Sequence, residues 1–177
     1  MIVGMLKLSL IDDQYPFTGV THVRPIARAL VLDEQNRVAI HVVERDDIFC
    51  AQRYFETPGG GLEEGESFEE AVVRECKEEI GYVVEPLCCL GEVEDYYNLI
   101  GRKNINRYFL ARRKEQVGIH HASQGDEFIK QTLYLPIDEA IALYESQSKE
   151  LVAGLVRQRE LPILMAAKEE MENRGLL

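Results

Sequence analysis

The chain has 177 residues, 46% of them apolar, and a formal charge of −11. That length suits one core and not comfortably two, and that apolar share excludes wholesale disorder. The acidic balance argues against binding a nucleic-acid backbone, which needs a basic surface, although an anionic small molecule remains compatible where cations neutralise it locally.

In chain order, residues 1–20 read as an extended, weakly patterned segment containing Pro16 and Gly19. Residues 23–32 and 38–44 read as strands joined by the turn Asp33-Glu34-Gln35-Asn36, which predicts a hairpin. Residues 46–51 form a loop, and residues 54–57 a short strand that leads into the turn Pro58-Gly59-Gly60-Gly61. Residues 59–65 are expected to be irregular. A helix follows over residues 67–80: Ser67 is a good N-cap, Glu70 completes a capping box, and Gly81 stands where a glycine stops a helix. Phe68, Val72, Cys76 and Ile80 form its apolar ladder. Residues 82–85, 87–94, 105–112 and 131–135 read as strands, the last ended by Pro136. Residues 138–145 form a short helix with Ile137, Ile141 and Tyr144 on one side. Residues 148–174 are helical, broken or kinked near Pro162 and packed through Leu151, Leu155, Leu161, Leu164 and Met165. There is no internal repeat, so residues 1–177 are read as a single domain.

The four cysteines, Cys50, Cys76, Cys88 and Cys89, show no CxxC spacing. Adjacent residues in a strand alternate faces, so a Cys88–Cys89 bond is geometrically unfavourable. Reduced thiols in a cytoplasmic protein are the simplest account. Residues 1–10 are too short and interrupted for a signal peptide or a membrane span, so no membrane association is expected.

The helix places three carboxylates, Glu75, Glu78 and Glu79, within one turn. Positions i, i+3 and i+4 share a face, so these side chains converge. Like charges so placed destabilise a helix by a few tenths of a kcal/mol per pair, about. At about 100° per residue, Glu79 projects between Phe68 and Val72, and Glu75 falls near the same stripe. Charges at the edge of a buried face are expensive unless something positive sits between them. A hard cation such as Mg²⁺ suits that role, since it prefers oxygen ligands and is held by a few carboxylates plus substrate phosphates. Glu69, Glu70 and Lys77 point outward as ordinary solvated residues.

Residues 60–82, GGLEEGESFEEAVVRECKEEIGY, resemble the signature of the Nudix hydrolases. Gly60 is followed after five residues by Glu66, and after seven more by Arg74-Glu75, Cys76, Lys77, Glu78-Glu79, Ile80, Gly81 and Tyr82. Every fixed position matches. Cys76 departs softly from the usual aliphatic residue, and a buried thiol behaves as a small hydrophobe. The resemblance implies an α/β fold, a three-layer α/β/α sandwich with a mixed sheet, whose loop-helix-loop carries a site for Mg²⁺ or Mn²⁺. It implies hydrolysis of a nucleoside diphosphate linked to another group, a nucleotide-sugar such as ADP-ribose or a related nucleotide. A catalytically silent nucleotide-sensing or protein-binding module is the alternative, disfavoured because silent members tend to lose a box carboxylate. An isopentenyl diphosphate isomerase-like activity needs a Cys and further ligands outside this pattern.

Carried onto this chain, Glu78 and Glu79 are the main metal ligands and Glu75 is ligand or general base. The Gly60 carbonyl is a further ligand, because a glycine lets the backbone approach an ion closely. Glu66 and Arg74 form a loop-orienting pair, since Arg can grip a carboxylate bidentately, and Glu63 matches a frequent loop-orienting elaboration. A late loop often supplies another ligand. In Ser123-Gln124-Gly125-Asp126-Glu127 the choice is Glu127, against a plain solvated acid. Arg102, Lys103, Arg107, Arg112 and Arg113 are a local basic excess that either contacts phosphates or is merely solvated; Arg107 is taken as substrate-binding. Tyr96 and Tyr97 fall where ADP-ribose hydrolases carry a diagnostic proline and some dinucleoside polyphosphate hydrolases a tyrosine. They either stack a base or fill a strand edge or core. His41, His120 and His121 are uncommitted. The expected partner is a small-molecule nucleotide, without nucleic acid or membrane. A homodimer paired through the N-terminal segment is compatible with the sequence.

Overall fold

A computed structural model describes residues 4–120 and 124–177. In chain order the elements are β1 (Leu6–Ser9), β2 (His22–Leu32), β3 (Val38–Arg45), β4 (Gln52–Glu56), β5 (Gly59–Gly61), α1 (Phe68–Ile80), β6 (Tyr82–Tyr97), β7 (Arg102–Gln116), β8 (Ile129–Leu135), α2 (Ile137–Ser146) and α3 (Leu151–Asn173). Short 3₁₀ turns occupy Asn98–Ile100 and Gln124–Phe128. The strands form one mixed sheet ordered β1-β6-β7-β2-β3-β4, with β5 joined to β2 and β8 to β3. The pairs β1–β6 and β2–β7 are parallel, and the others antiparallel.

The apolar run of β2 explains its central place. From Ile26 to Leu32 every residue is buried, and all are apolar except the cavity-lining Arg28, as expected of a strand covered on both faces. Alternate side chains serve different layers. Ala27, Ala29 and Val31 meet Ala71, Val72, Cys76 and Ile80 of α1. Leu30 and Leu32 meet Ile137 and Tyr144 of α2 and Leu155, Ile163 and Leu164 of α3. Small side chains on the first face let α1 lie close to the sheet. The result is the three-layer sandwich with a mixed sheet.

Helix α1 follows its local signals. Ser67 accepts from the Glu70 backbone N–H, Glu70 answers at the Ser67 N–H, and Gly81 closes the helix in the left-handed region. Such a cap contributes about 1 kcal/mol.

Several expectations are corrected. The 33–36 turn forms, with Asp33 Oδ1 accepting from the backbone N–H groups of Gln35 and Arg37, but the hairpin does not continue. Only Leu32 and Val38 pair before the strands diverge. Beyond the turn β2 takes β5 and β7, whereas β3 takes β4 and β8. Residues 59–61 are strand rather than loop, because glycine alone fits so near β2: a Cβ on Gly59, whose φ is 147°, would strike the Ala27 carbonyl oxygen. Residues 82–85 and 87–94 belong to one strand, and a register shift between Pro86 and Cys88 absorbs the missing N–H of the proline. The N-terminal segment, expected to be only weakly patterned, contributes an ordered strand: β1 pairs with β6, Leu6 opposite Gly91.

Helix α3 runs through Pro162 unbroken. Met165 is exposed, Leu151 and Leu161 are half-buried, and the packed face is Val152, Leu155, Val156, Ile163, Leu164, Ala167 and Met171. That face passes through Arg159 and Glu160, so a stripe drawn from apolar residues alone is rotated off it. No helix among the described residues is long and apolar enough to cross a membrane.

Candidate functional site

Where β2 and β3 part, a cavity of about 390 Å³ opens. Its walls include β5, the buried carboxylates of α1, the end of β6, the start of β7 and the 3₁₀ turn before β8.

Glu75, Glu79 and Asp126 converge there. Each offers a carboxylate oxygen, and the three atoms lie within 4.8 Å of one another. All three residues are buried. Glu79 Oε2 accepts from the Gly59 backbone N–H at 3.0 Å and lies 2.9 Å from His41 Nε2. His41 Nδ1 is 2.9 Å from Thr132 Oγ1. With its proton on Nε2, His41 donates to Glu79 while the Thr132 hydroxyl donates to Nδ1, so β3 and β8 together set the aim of Glu79. Glu75 packs against Gly60 so tightly that a Cβ there would sit 2.5 Å from its Oε1. Burial, and then the neighbouring Glu79 charge, push the Glu75 carboxyl up to about 7. Glu78 is half-buried at the margin of the cluster, and burial raises its pKa, with the Asp126 charge adding to the rise.

One guanidinium ties this helix to the loop before it. Arg74 Nε and Nη2 donate to the two oxygens of Glu66 at 2.8 and 2.9 Å, and Nη2 also donates to the Gly61 carbonyl at 3.0 Å. Its Nη1 donates to Glu75 Oε1 at 2.8 Å and lies 3.4 Å from Glu78 Oε2. The hydrogen bonds from Arg74 hold Glu66 below the usual carboxylate range. Glu63 leaves its side chain in solvent, 3.8 Å from Arg74 Nε, while its backbone N–H donates to Glu66 at 2.9 Å.

The late loop delivers a different acid from the one expected. Glu127 is exposed, and its neighbour Asp126, 2% exposed, completes the cluster. On a 3₁₀ turn successive side chains project about 120° apart, so one of two adjacent acids faces inward and the other outward. Ser123 and His121 lie outside the described residues. His120 is exposed, and its backbone N–H donates to the Glu78 carbonyl at 3.1 Å.

Strand alternation separates the two tyrosines. Tyr97 is buried and lines the cavity, and its hydroxyl accepts from Arg159 Nη1 at 3.1 Å. Tyr96 faces the other way and meets Phe17 edge-on at 6.3 Å. Arg107 is not at the cavity: it pairs with Glu92 at 2.9 Å and lies over the Phe68 ring on the α1 face. Lys103, Arg112 and Arg113 are engaged by Glu94, by the Asp33 carbonyl with Asn36, and by Glu34. Of the basic group only Arg102 lines the cavity.

Beneath the cavity lies a buried ionic network that sequence reasoning missed. Arg159 donates to Asp95 at 2.8 Å, to Glu56 at 2.9 Å and to the Tyr108 hydroxyl at 2.8 Å. Arg28 pairs with Glu56 at 2.7 Å. Glu160 accepts from the Thr57 N–H and hydroxyl at 2.9 and 2.7 Å and from the Tyr144 and Tyr108 hydroxyls at 2.7 and 3.1 Å. Burial alone would raise the Glu56 carboxyl, but Arg28 and Arg159 hold it down. One signal was available: Arg159 and Glu160 continue the helical spacing of Val152, Leu155, Val156, Ile163 and Leu164.

The donor set fits a hard divalent cation such as Mg²⁺ or Mn²⁺. It consists of buried carboxylate oxygens facing one another, beside the glycine backbone of β5, against which Glu75 packs.

A sequence model of the NUDIX domain matches residues 22–155. Among solved structures, a NUDIX hydrolase from Nitrosomonas europaea is similar with a TM-score of 0.63 and 18% identity, over 84% of this chain and 90% of that one. An ADP compounds hydrolase gives 0.65 and 14%, over 90% and 78%. A UDP-X diphosphatase gives 0.57 and 15%, over 86% and 66%. At such identities the likeness is one of fold. No curated protein matches the sequence.

Proposed function

The chain belongs to the Nudix hydrolase family, and from that premise we propose that it is a divalent-metal-dependent pyrophosphohydrolase cleaving a nucleoside diphosphate linked to a second group. The observation that carries this reading is the convergence of Glu75, Glu79 and Asp126. These three would hold the cation, with Glu78 at the margin and the Gly60 carbonyl as a further oxygen donor. A cation there supplies positive charge against phosphoryl oxygens and acidifies the attacking water. The protein groups do the positioning. His41 and the Gly59 N–H fix the Glu79 carboxylate, and Arg74 braces Glu75 while locking the glycine turn to α1. Glu75, braced by Arg74 and facing the cluster, would serve either as a ligand or as the carboxylate that takes a proton from the attacking water.

Two relatives in fold carry nucleoside diphosphate compounds in their names, which supports the same substrate class here. Tyr97, Phe49 and Tyr54 form a buried aromatic floor to the cavity, with the Tyr97 ring covered by Arg102 and met edge-on by Phe49. We take residues 1–177 as one functional unit, because β1 and α3 pack onto the matched span. The four free cysteines accord with a cytoplasmic site of action.

The test is a phosphate-release screen with Mg²⁺ over ADP-ribose, other nucleoside diphosphate sugars, dinucleoside polyphosphates and nucleoside triphosphates. Turnover of at least one class, lost on adding EDTA, is expected. No turnover of any class, together with no calorimetric signal for Mg²⁺, would leave a silent nucleotide-binding module.

A further inference from the structure

The cavity has a second charged wall, and it is basic. Arg24, Arg28, Arg45, Arg74 and Arg102 all line it. Three have carboxylate partners: Arg28 with Glu56, Arg45 with Asp47, and Arg74 with Glu66 and Glu75. Arg24 and Arg102 have none among the described residues. The Arg102 Nε is buried without a hydrogen-bond partner. Its guanidinium lies 4.9 Å over the Tyr97 ring, a stack that fixes the plane of the fork without neutralising it. Arg24 keeps solvent contact at the mouth. It abuts β5, where a Cβ on Gly61 would come within 2.7 Å of its Nε. Gly60, the preceding residue, abuts Glu75. The β5 backbone therefore runs between the acidic cluster and the first of the two arginines.

We propose that Arg24 and Arg102 form an anion subsite that takes a phosphate of the substrate while the neighbouring carboxylates take its metal ion. The inference rests on the metal-dependent reading above and adds to it the residues that hold the phosphate. A planar fork presents paired N–H donors matched to phosphate oxygens, which a lysine does not. Burial lowers the Arg102 pKa to about 10. The guanidinium groups stay protonated at neutral pH, so they are cations held where an anion relieves them. The carboxylate cluster has the complementary excess. A metal–pyrophosphate complex satisfies both walls at once. A bare cation satisfies one, and a bare phosphate the other.

Calorimetric titration of the full chain decides the matter, first with Mg²⁺ alone and then with inorganic pyrophosphate in saturating Mg²⁺. Arg102→Met should weaken pyrophosphate binding by about tenfold or more, Arg24→Met by less, and the double variant should abolish it. Mg²⁺ affinity without the anion should hold in all three. Arg102→Lys keeps the charge but loses the fork and should fall between. Arg107→Ala, on the α1 face, should bind as the parent does. Arg24 is exposed, so its variant answers the question even if Arg102→Met fails to fold. Parental pyrophosphate affinity in both Arg24→Met and Arg102→Lys would overturn the subsite. A parent that binds Mg²⁺ but not pyrophosphate would also overturn it, with the metal reading intact. A parent that binds pyrophosphate through these arginines but takes no Mg²⁺ would sustain the subsite and sink the metal reading.

Discussion

Two buried clusters of charge lie close together in this protein, and they are built on opposite principles. Around Arg159, cation and anion alternate: Asp95, Arg159, Glu56 and Arg28 form a chain of ion pairs, with Glu160 saturated by hydroxyls and a backbone N–H. At Glu75, Glu79 and Asp126, like charge faces like charge. The difference is instructive because burial is similar in both. Desolvated charges in balance hold elements together, whereas a desolvated excess of one sign is a site prepared for a counter-ion. The first cluster fastens α3 to β4 and β6. The second spends stability at the place where a cation can return it.

Breaking the balanced cluster should have the largest effect on folding. Arg159→Leu leaves Asp95 and Glu56 buried without their shared cation, and should cost about 3–5 kcal/mol in urea unfolding. A cost below about 1 kcal/mol would show that the network is decorative. In the unbalanced cluster the outcome should invert. Glu79→Gln removes one of the facing charges without opening a cavity. Turnover should fall by about two to three orders of magnitude, while metal-free stability holds or rises slightly. Parental turnover in Glu79→Gln would reduce these carboxylates to a charged helix face.

The same inversion should appear on changing pH. The Glu75 carboxyl titrates near 7 in the fold, against an ordinary value of 4.5. The folded, metal-free protein therefore holds this proton longer than the unfolded chain does. Between those values the folded state binds more protons, so stability should fall as pH rises, by no more than about 3 kcal/mol. Urea melts in EDTA at pH 5 and pH 8 would measure it. Glu75→Gln should flatten the difference, and Mg²⁺ at pH 8 should restore most of the loss. A metal-free protein equally stable at both pH values would exclude a strained Glu75.

A smaller effect separates the two adjacent acids of the late turn. Asp126→Asn should weaken Mg²⁺ affinity by about tenfold or more, whereas Glu127→Gln should leave it unchanged, as should Glu69→Gln on the outer face of α1. Equal weakening by Asp126→Asn and Glu127→Gln, read by calorimetry, would place the turn differently from the structure.

What the sequence determined by itself was local. Helix α1, its caps and the convergence of Glu75 and Glu79 follow from spacings of three and four residues, which one turn of helix converts directly into neighbours. The sandwich followed from a family signature within that same segment. Only the tertiary structure chose Asp126 over Glu127, Tyr97 over Tyr96 and Arg102 over Arg107, because each choice depends on which way a turn or strand faces across the fold. It alone brought His41 to Glu79, 38 residues away in sequence, and Arg159 to Asp95, 64 residues away. It alone parted β2 from β3, since a turn fixes how a hairpin begins but the competing neighbours β5, β7, β4 and β8 decide how far it runs. Local spacing fixes geometry along one element, and strand register and helix rotation fix what meets between elements, at sequence separations where no periodicity carries the signal.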